Sequence, residues 1–271
     1  MTKKVVFITG ASSGIGLGTV KYFVKKGWQV AATMRNPDAV DELRQLKEVK
    51  TYQLDVTDPE AVGLVVDRVL KDLGQVDVII NNAGYGAIGP FEGAGEEALF
   101  RQLNTNFFGT TRVISAFLPY FKNRRSGIII NLSSIAGRLP LPLYSVYHAS
   151  KFAIEGFSES LWYELRPFNI KVRLIEPGPI RTEFNGRSRV DLVASGSDYA
   201  AFVGKVDAFY NDLFKRAEST DVVVKTIYKA AVQRGFRIRY PAGYRAKALL
   251  LLHKILPGNM FRWIVRFMLK I

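Results

Sequence analysis

Short apolar runs recur along the first 240 positions of the chain, each followed by a stretch with helical spacing. KVVFIT (4–9), QVAAT (29–33), TYQLD (51–55), VDVIIN (76–81), GIIINLS (127–133), IKVRLIEP (170–177) and FRIRY (236–240) read as strands. Most show no apolar–polar alternation, which is the pattern of strands buried on both faces. Between them, helices are expected over about 14–26, 38–46 and 59–73, then a long helical region ending near Phe121. Two more are expected around Tyr147 and over about 221–234. Regular strand–helix alternation predicts an α/β fold with a doubly wound parallel sheet in a single domain. Such sheets bind ligands at the carboxyl ends of their strands, so candidate chemistry is sought there.

Composition changes this picture in a few places. The 271 residues, 48% hydrophobic, suffice for one large core, and no repeat or linker divides them. The absence of Cys removes disulfides, thiol nucleophiles and thiolate metal ligands, and fits a reducing compartment. The opening MTKKVVFITG leads directly into a strand, and the run ALLLL (248–252) is far shorter than a membrane span. The expectation is a cytoplasmic chain with neither leader nor spanning helix. The net charge of +14 is uneven, because residues 222–271 hold 11 Lys and Arg and no Asp or Glu. Any charged partner therefore concerns the C-terminal fifth. No recognition motif accompanies that basicity, so nucleic acid is not an expected partner. His148 and His253 are too isolated for a metal site, and His148 is read as structural.

The strand ends carry the informative residues. TGASSGIG closes the first strand with Gly10, Gly14 and Gly16. Glycines let backbone approach a phosphate closely, and the following helix N-terminus offers free N–H groups and partial positive charge. The second strand ends in Thr33, Met34 and Arg35, with no acid before Asp38. An acid there would repel a ribose 2′-phosphate, whereas a guanidinium suits one, which favours NADP(H). Asp55 in LDVTD is placed to reach an adenine amino group, and Asn82, Ala83 and Gly84 in NNAG let a cofactor lie close. Pro177 and Gly178 break the sixth strand in IEPGPIRT and leave backbone groups free. Tyr147 stands four residues before Lys151, so on a helix the phenol and ammonium share a face. That spacing occurs twice, also at Tyr22 and Lys26, about as often as chance provides. The distribution of the other motifs over successive strand ends distinguishes the Tyr147 pair.

These residues together resemble the short-chain dehydrogenase/reductase family over roughly residues 3–185. The resemblance is carried by TGASSGIG (9–16), NNAG (81–84), Asn106 in NTNFFG, Ser134, YHASK (147–151) and PGPIRT (177–182). TMRNPD and IEPGPIRTEF look similar to members such as 17β-hydroxysteroid and retinol dehydrogenases. The resemblance implies a Rossmann-type fold and hydride transfer between nicotinamide C4 and a carbonyl or alcohol carbon. It implies cofactor contacts from Gly10, Ser12, Ser13, Gly14, Ile15, Gly16, Arg35, Asp55, Val56, Asn82, Ala83, Gly84, Tyr147, Lys151, Pro177, Gly178, Ile180 and Thr182. Tyr147 is then the general acid/base, since a ketone being reduced needs a proton at its oxygen. Lys151 lowers the phenol's pKa, helped by a positive nicotinamide, and by resemblance bonds the nicotinamide ribose. Ser134, thirteen residues before Tyr147, orients the substrate oxygen, with Ser133 its rival. Asn106, by resemblance, holds a water linking Lys151 to solvent; otherwise it is a helix-kinking polar residue.

The expected substrate wall comprises residues 85–91, 137–145 and a lid over 183–216 bearing Phe184, Tyr199, Phe202, Phe209, Tyr210 and Phe214. Such a lid suits a bulky lipophilic substrate such as a steroid, retinoid or long-chain carbonyl, unless these rings only pack onto the sheet. Other readings are a reductase of small polar carbonyls and a non-enzymatic NADP(H) sensor or scaffold. Residues 1–240 form the catalytic domain and 241–271 a basic amphipathic extension. Its last helix, after Pro257–Gly258, has a cationic stripe of Arg262, Arg266 and Lys270. Three uses remain open for it: a membrane surface, cover for the pocket, or packing in a homo-oligomer.

Overall fold

In a computed structural model, residues 3–181, 188–193 and 198–271 are described. Eleven strands occur among them: β1 Val5–Thr9, β2 Gln29–Met34, β3 Val49–Gln53, β4 Val78–Asn81, β5 Gly86–Ile88, β6 Gly127–Leu132, β7 Ile170–Pro177, β8 Ile180–Arg181, β9 Arg189–Asp191, β10 Glu218–Ser219 and β11 Arg239–Ala242. Seven form one parallel sheet in the order β11-β7-β6-β4-β1-β2-β3. The chain builds outward from β1 to β3, then returns to β1's other side with β4. That reversal opens a crevice between the carboxyl ends of β1 and β4.

Side-chain alternation explains the unbroken apolar runs. Val6 and Ile8 face one layer with Val20, Phe23, Val223 and Ile227 from the helices Gly14–Lys25 and Thr220–Val232. Val5 and Phe7 face the other, against Val66, Phe117 and Leu161 from the helices Pro59–Leu73, Gly109–Arg124 and Ser145–Leu165. Both faces are covered, so both must be apolar. Local signals fix helix ends as well. Asp58 accepts from the N–H groups of Glu60 and Ala61, Pro59 opens the helix, and Gly74 at φ +75° closes it.

Three expectations are corrected. The helix expected over 38–46 is a 3₁₀ turn at Pro37–Ala39 followed by one α turn at Asp41–Arg44, because Val40 at φ −133° interrupts it. The long helical region is divided by a π turn at Asn104–Phe108 between Gly95–Leu103 and Gly109–Arg124. The last strand begins at Arg239 rather than Phe236. Upstream, Gly235 adopts φ +86°, and the buried Arg173 guanidinium donates to the carbonyls of Gln233 and Gly235, holding that stretch in a turn. Two further helices close the chain, Tyr244–Ile255 and Gly258–Leu269.

Candidate active site

The glycine-rich turn is locked to the neighbouring strand end. The Thr9 hydroxyl accepts from the backbone N–H groups of Asn82 and Ala83, and the Asn82 amide donates to the carbonyls of Thr9 and Gly10. Gly10 adopts φ +65°, and a Cβ on Gly16 would lie 2.1 Å from the Gly10 carbonyl oxygen. Among the described residues no side chain, that of the N-cap Ser13 included, caps the helix that begins at Gly14, which leaves its first N–H groups to an anion. This arrangement fits a dinucleotide phosphate. Gly16→Ala is expected to cost about 1–3 kcal/mol, since its contact is backbone that cannot rotate away. It should also abolish cofactor-induced thermal stabilisation. Melting with and without NADPH checks both effects.

One cavity of about 660 Å³ gathers every cofactor residue expected from sequence that lies among the described residues, from Gly10 through Arg35 and Asp55 to Ile180. Thr182 and Phe184 lie outside the described residues. Arg35 and Asp55 are exposed at the outer end; the Asp55 carboxylate already accepts from the Thr57 N–H and hydroxyl. Ser134, Tyr147 and Lys151 line the same cavity deeper in.

Ser134 sits just beyond β6, where its oxygen accepts from the Ala136 N–H at 3.1 Å. It also bears on the Tyr147 phenol, whose pKa it pulls down, whereas the Ser133 hydroxyl donates to the Ser134 carbonyl at 3.5 Å and bears on Glu155. The Lys151 ammonium lies 5.7 Å from the Tyr147 ring centre and donates to the Leu132 carbonyl at 2.7 Å. Burial pushes the Tyr147 phenol upward, against the opposing pull of Ser134. Burial likewise pushes Lys151 down to about 8, with Glu155 resisting. Desolvation sets the direction of the phenol's shift here, whereas the lowering expected of Lys151 acts together with a positive nicotinamide.

Asn106 is buried in the π turn and does not line the cavity. Its side chain accepts from the Tyr85 N–H and donates to the Tyr85 carbonyl and the Ser150 hydroxyl. It thus fastens the strand end carrying NNAG to the helix carrying Tyr147. His148 has the structural part expected of it. Its Nδ1 meets the Ala136 carbonyl at 2.6 Å and its Nε2 accepts from Leu141 N–H at 2.9 Å. Burial keeps the ring's pKa low, so the neutral imidazole bridges the loop after Ser134.

Sequence reasoning missed an ion network beneath Ser133 and Lys151. Arg239 on β11 donates to Glu155 at 2.8 Å, to Glu176 at 3.2 Å and to Glu159. Arg138 also reaches Glu176, at 3.0 Å. The only sequence signal is that Glu155 follows Lys151 by four residues.

The outer wall of the cavity is apolar. Leu141, Tyr144, Tyr210, Leu213 and Phe214 line it, the last three from the lid helix Ala200–Lys215. Tyr144 packs edge-on against Tyr210 at 5.0 Å and lies 6.1 Å from Tyr147. Phe202 and Phe209 join the same cluster, whereas Tyr199 and Phe91 are exposed.

Comparison with known proteins agrees with this geometry. The family model for short chain dehydrogenases matches residues 4–192. A 3-ketodihydrosphingosine reductase of Bacteroides thetaiotaomicron is 41% identical over 201 residues, covering 74% of this chain and 73% of its own. Human retinol dehydrogenase 8 is 42% identical over 193 residues, 68% of this chain and 61% of the relative. The solved structure of ElxO with NADP bound superposes with a TM-score of 0.74 at 27% identity, over 90% of this chain and 99% of that one.

Proposed function

Because the chain belongs to the short-chain dehydrogenase/reductase family, we propose that this oxidoreductase uses NADP(H) to interconvert the carbonyl and alcohol of a bulky lipophilic substrate. The observation that carries this reading is one cavity with two chemically distinct walls. One side has the glycine turn, Arg35 and the Ser134–Tyr147 hydroxyl pair; the other has aromatic and aliphatic side chains. The sphingoid and retinoid relatives support an apolar substrate, and the NADP-bound relative supports the cofactor.

When bound, the nicotinamide supplies or accepts the hydride. The chain's own residues handle the proton and the orientation. Tyr147, kept protonated by burial, is set to donate its phenolic proton to a substrate oxygen. Ser134 can turn its single hydroxyl proton from the phenol to that substrate oxygen, fixing its position as negative charge develops there. Lys151 places a cation 5.7 Å from the Tyr147 ring centre, ready to favour phenolate once the proton has left. Asn106 acts by positioning, through Tyr85 and Ser150.

The test is NADPH consumption against carbonyls ranging from short aldehydes to steroid ketones and retinal, with NADH as control. Turnover confined to bulky apolar carbonyls is the expected result. NADPH binding with turnover only of small polar carbonyls would overturn the substrate reading. Arg35→Ala separates the cofactor question: NADPH efficiency is expected to fall about tenfold, the scale of one charge-assisted contact. NADH efficiency should be unchanged. Equal losses with both cofactors would remove Arg35 as the 2′-phosphate contact.

A further inference from the structure

The two C-terminal helices present an apolar face that nothing covers among the described residues. Leu251, Ile255, Met260, Trp263, Phe267 and Met268 are all exposed, with Ile255 at 68%, Trp263 at 64% and Phe267 at 74%. The same helices are firmly seated by their opposite side. Phe261 and Ala246 are buried with Ile135 and Leu139, and the Phe261 ring lies 4.8 Å from His253. Lys205 on the lid helix donates to the Lys270 carbonyl. The outward rings are therefore a fixed surface: Trp263 and Phe267 stack at 5.7 Å.

Charge identifies what this face fits. Lys247, Lys254, Arg262 and Arg266 stand exposed on the same two helices with Lys270 just after them, and no acid occurs after Asp221. A second copy docking the same face on itself would bring cations together with no carboxylate to pair them. An anionic lipid surface satisfies both features, taking the rings into the acyl boundary and the cations onto headgroup phosphates. Trp and Arg are the side chains that suit this depth. No described helix is long and apolar enough to cross a bilayer, so the contact is superficial.

We propose that the helices Tyr244–Ile255 and Gly258–Leu269 form a monotopic docking surface for anionic membrane. Its position gives the contact a use. Ile135 and Leu141 line the catalytic cavity and also pack in the cluster that seats these helices. The docked enzyme would thus hold its apolar cavity wall beside the bilayer, where a lipophilic substrate resides. That consequence rests on the lipophilic-substrate reading, whereas the membrane contact does not.

The experiment is co-sedimentation of the full chain, without substrate or cofactor, with vesicles of phosphatidylcholine alone or mixed with phosphatidylserine. Light scattering is measured in parallel. The wild type is expected to pellet with the anionic vesicles at least about tenfold more than with the neutral ones. Trp263→Asp combined with Phe267→Asp should lose pelleting while its melting temperature stays within a few degrees, both side chains being exposed. Arg262→Gln combined with Arg266→Gln should weaken only the anionic preference. Recovery no greater than in a vesicle-free control would overturn the proposal. A wild-type dimer that the double Asp variant converts to monomer, without vesicle binding, would assign the face to a second copy instead. Failure of the substrate reading would appear only in the carbonyl panel, separately from pelleting.

Discussion

Tyr147→Phe is expected to lower turnover by about 10²–10⁴-fold while NADPH still binds. The phenylalanine keeps the ring, so packing near Tyr144 survives, and only the hydroxyl is lost. Ser134 then has no phenolic partner. The stability cost should be about 1 kcal/mol, the scale of one net hydrogen bond. The rate loss corresponds to about 3–5.5 kcal/mol of transition-state stabilisation. Single-turnover rates and NADPH fluorescence titration with the purified variant check the two halves separately. Retained turnover within tenfold of wild type would move the proton-donor role elsewhere. Loss of NADPH binding would show that the hydroxyl organises the cofactor site rather than the chemistry.

The largest stability effect is expected at Arg239→Met, about 3–5 kcal/mol, because it leaves two buried carboxylates without their shared cation. Glu155 and Glu176 are 4% and 1% exposed. Burial already pushes Glu155 up to about 7, with Glu176's charge adding and Ser133, Arg239 and Arg138 opposing. Its folded pKa lies above its ordinary 4.5. Between those values the folded chain therefore holds a proton that the unfolded chain has released, and stability falls as pH rises through that window. Removing Arg239 raises the folded pKa further, so the variant's deficit should grow from pH 5 to pH 8. A melting shift of roughly 5–15 °C at pH 8 is expected, with a smaller one at pH 5. Glu159→Gln, at an exposed carboxylate, is the control and should shift stability by less than about 1 kcal/mol. Adding Glu155→Gln and Glu176→Gln to Arg239→Met should recover most of the loss. A variant that melts alongside wild type at pH 8 would show that Arg138 alone neutralises the pair.

Features that depend on neighbours along the chain are legible in the residues alone. Unbroken apolar runs gave the strands, since a strand covered on both faces needs apolar residues at every position. TGASSGIG placed a tight turn before a helix, and Tyr147 with Lys151 shared one helical face. Because a parallel sheet gathers its carboxyl ends at one edge, motifs far apart in sequence could be assigned to one cavity. Features that depend on groups brought together from distant segments are settled by packing. Arg239 and Glu155 are 84 residues apart and meet because β11 pairs with β7, a pairing that no local period encodes. Asn106 has its partners in Tyr85 and Ser150, so its side chain is fixed by two other elements. The direction of Tyr147's pKa shift was set by burial, which a spacing of four residues does not report. The amphipathic pattern of the last helix implied that one face would be buried. Only packing against Ile135 and Leu139 decided that Phe261 turns inward while Trp263 and Phe267 face out.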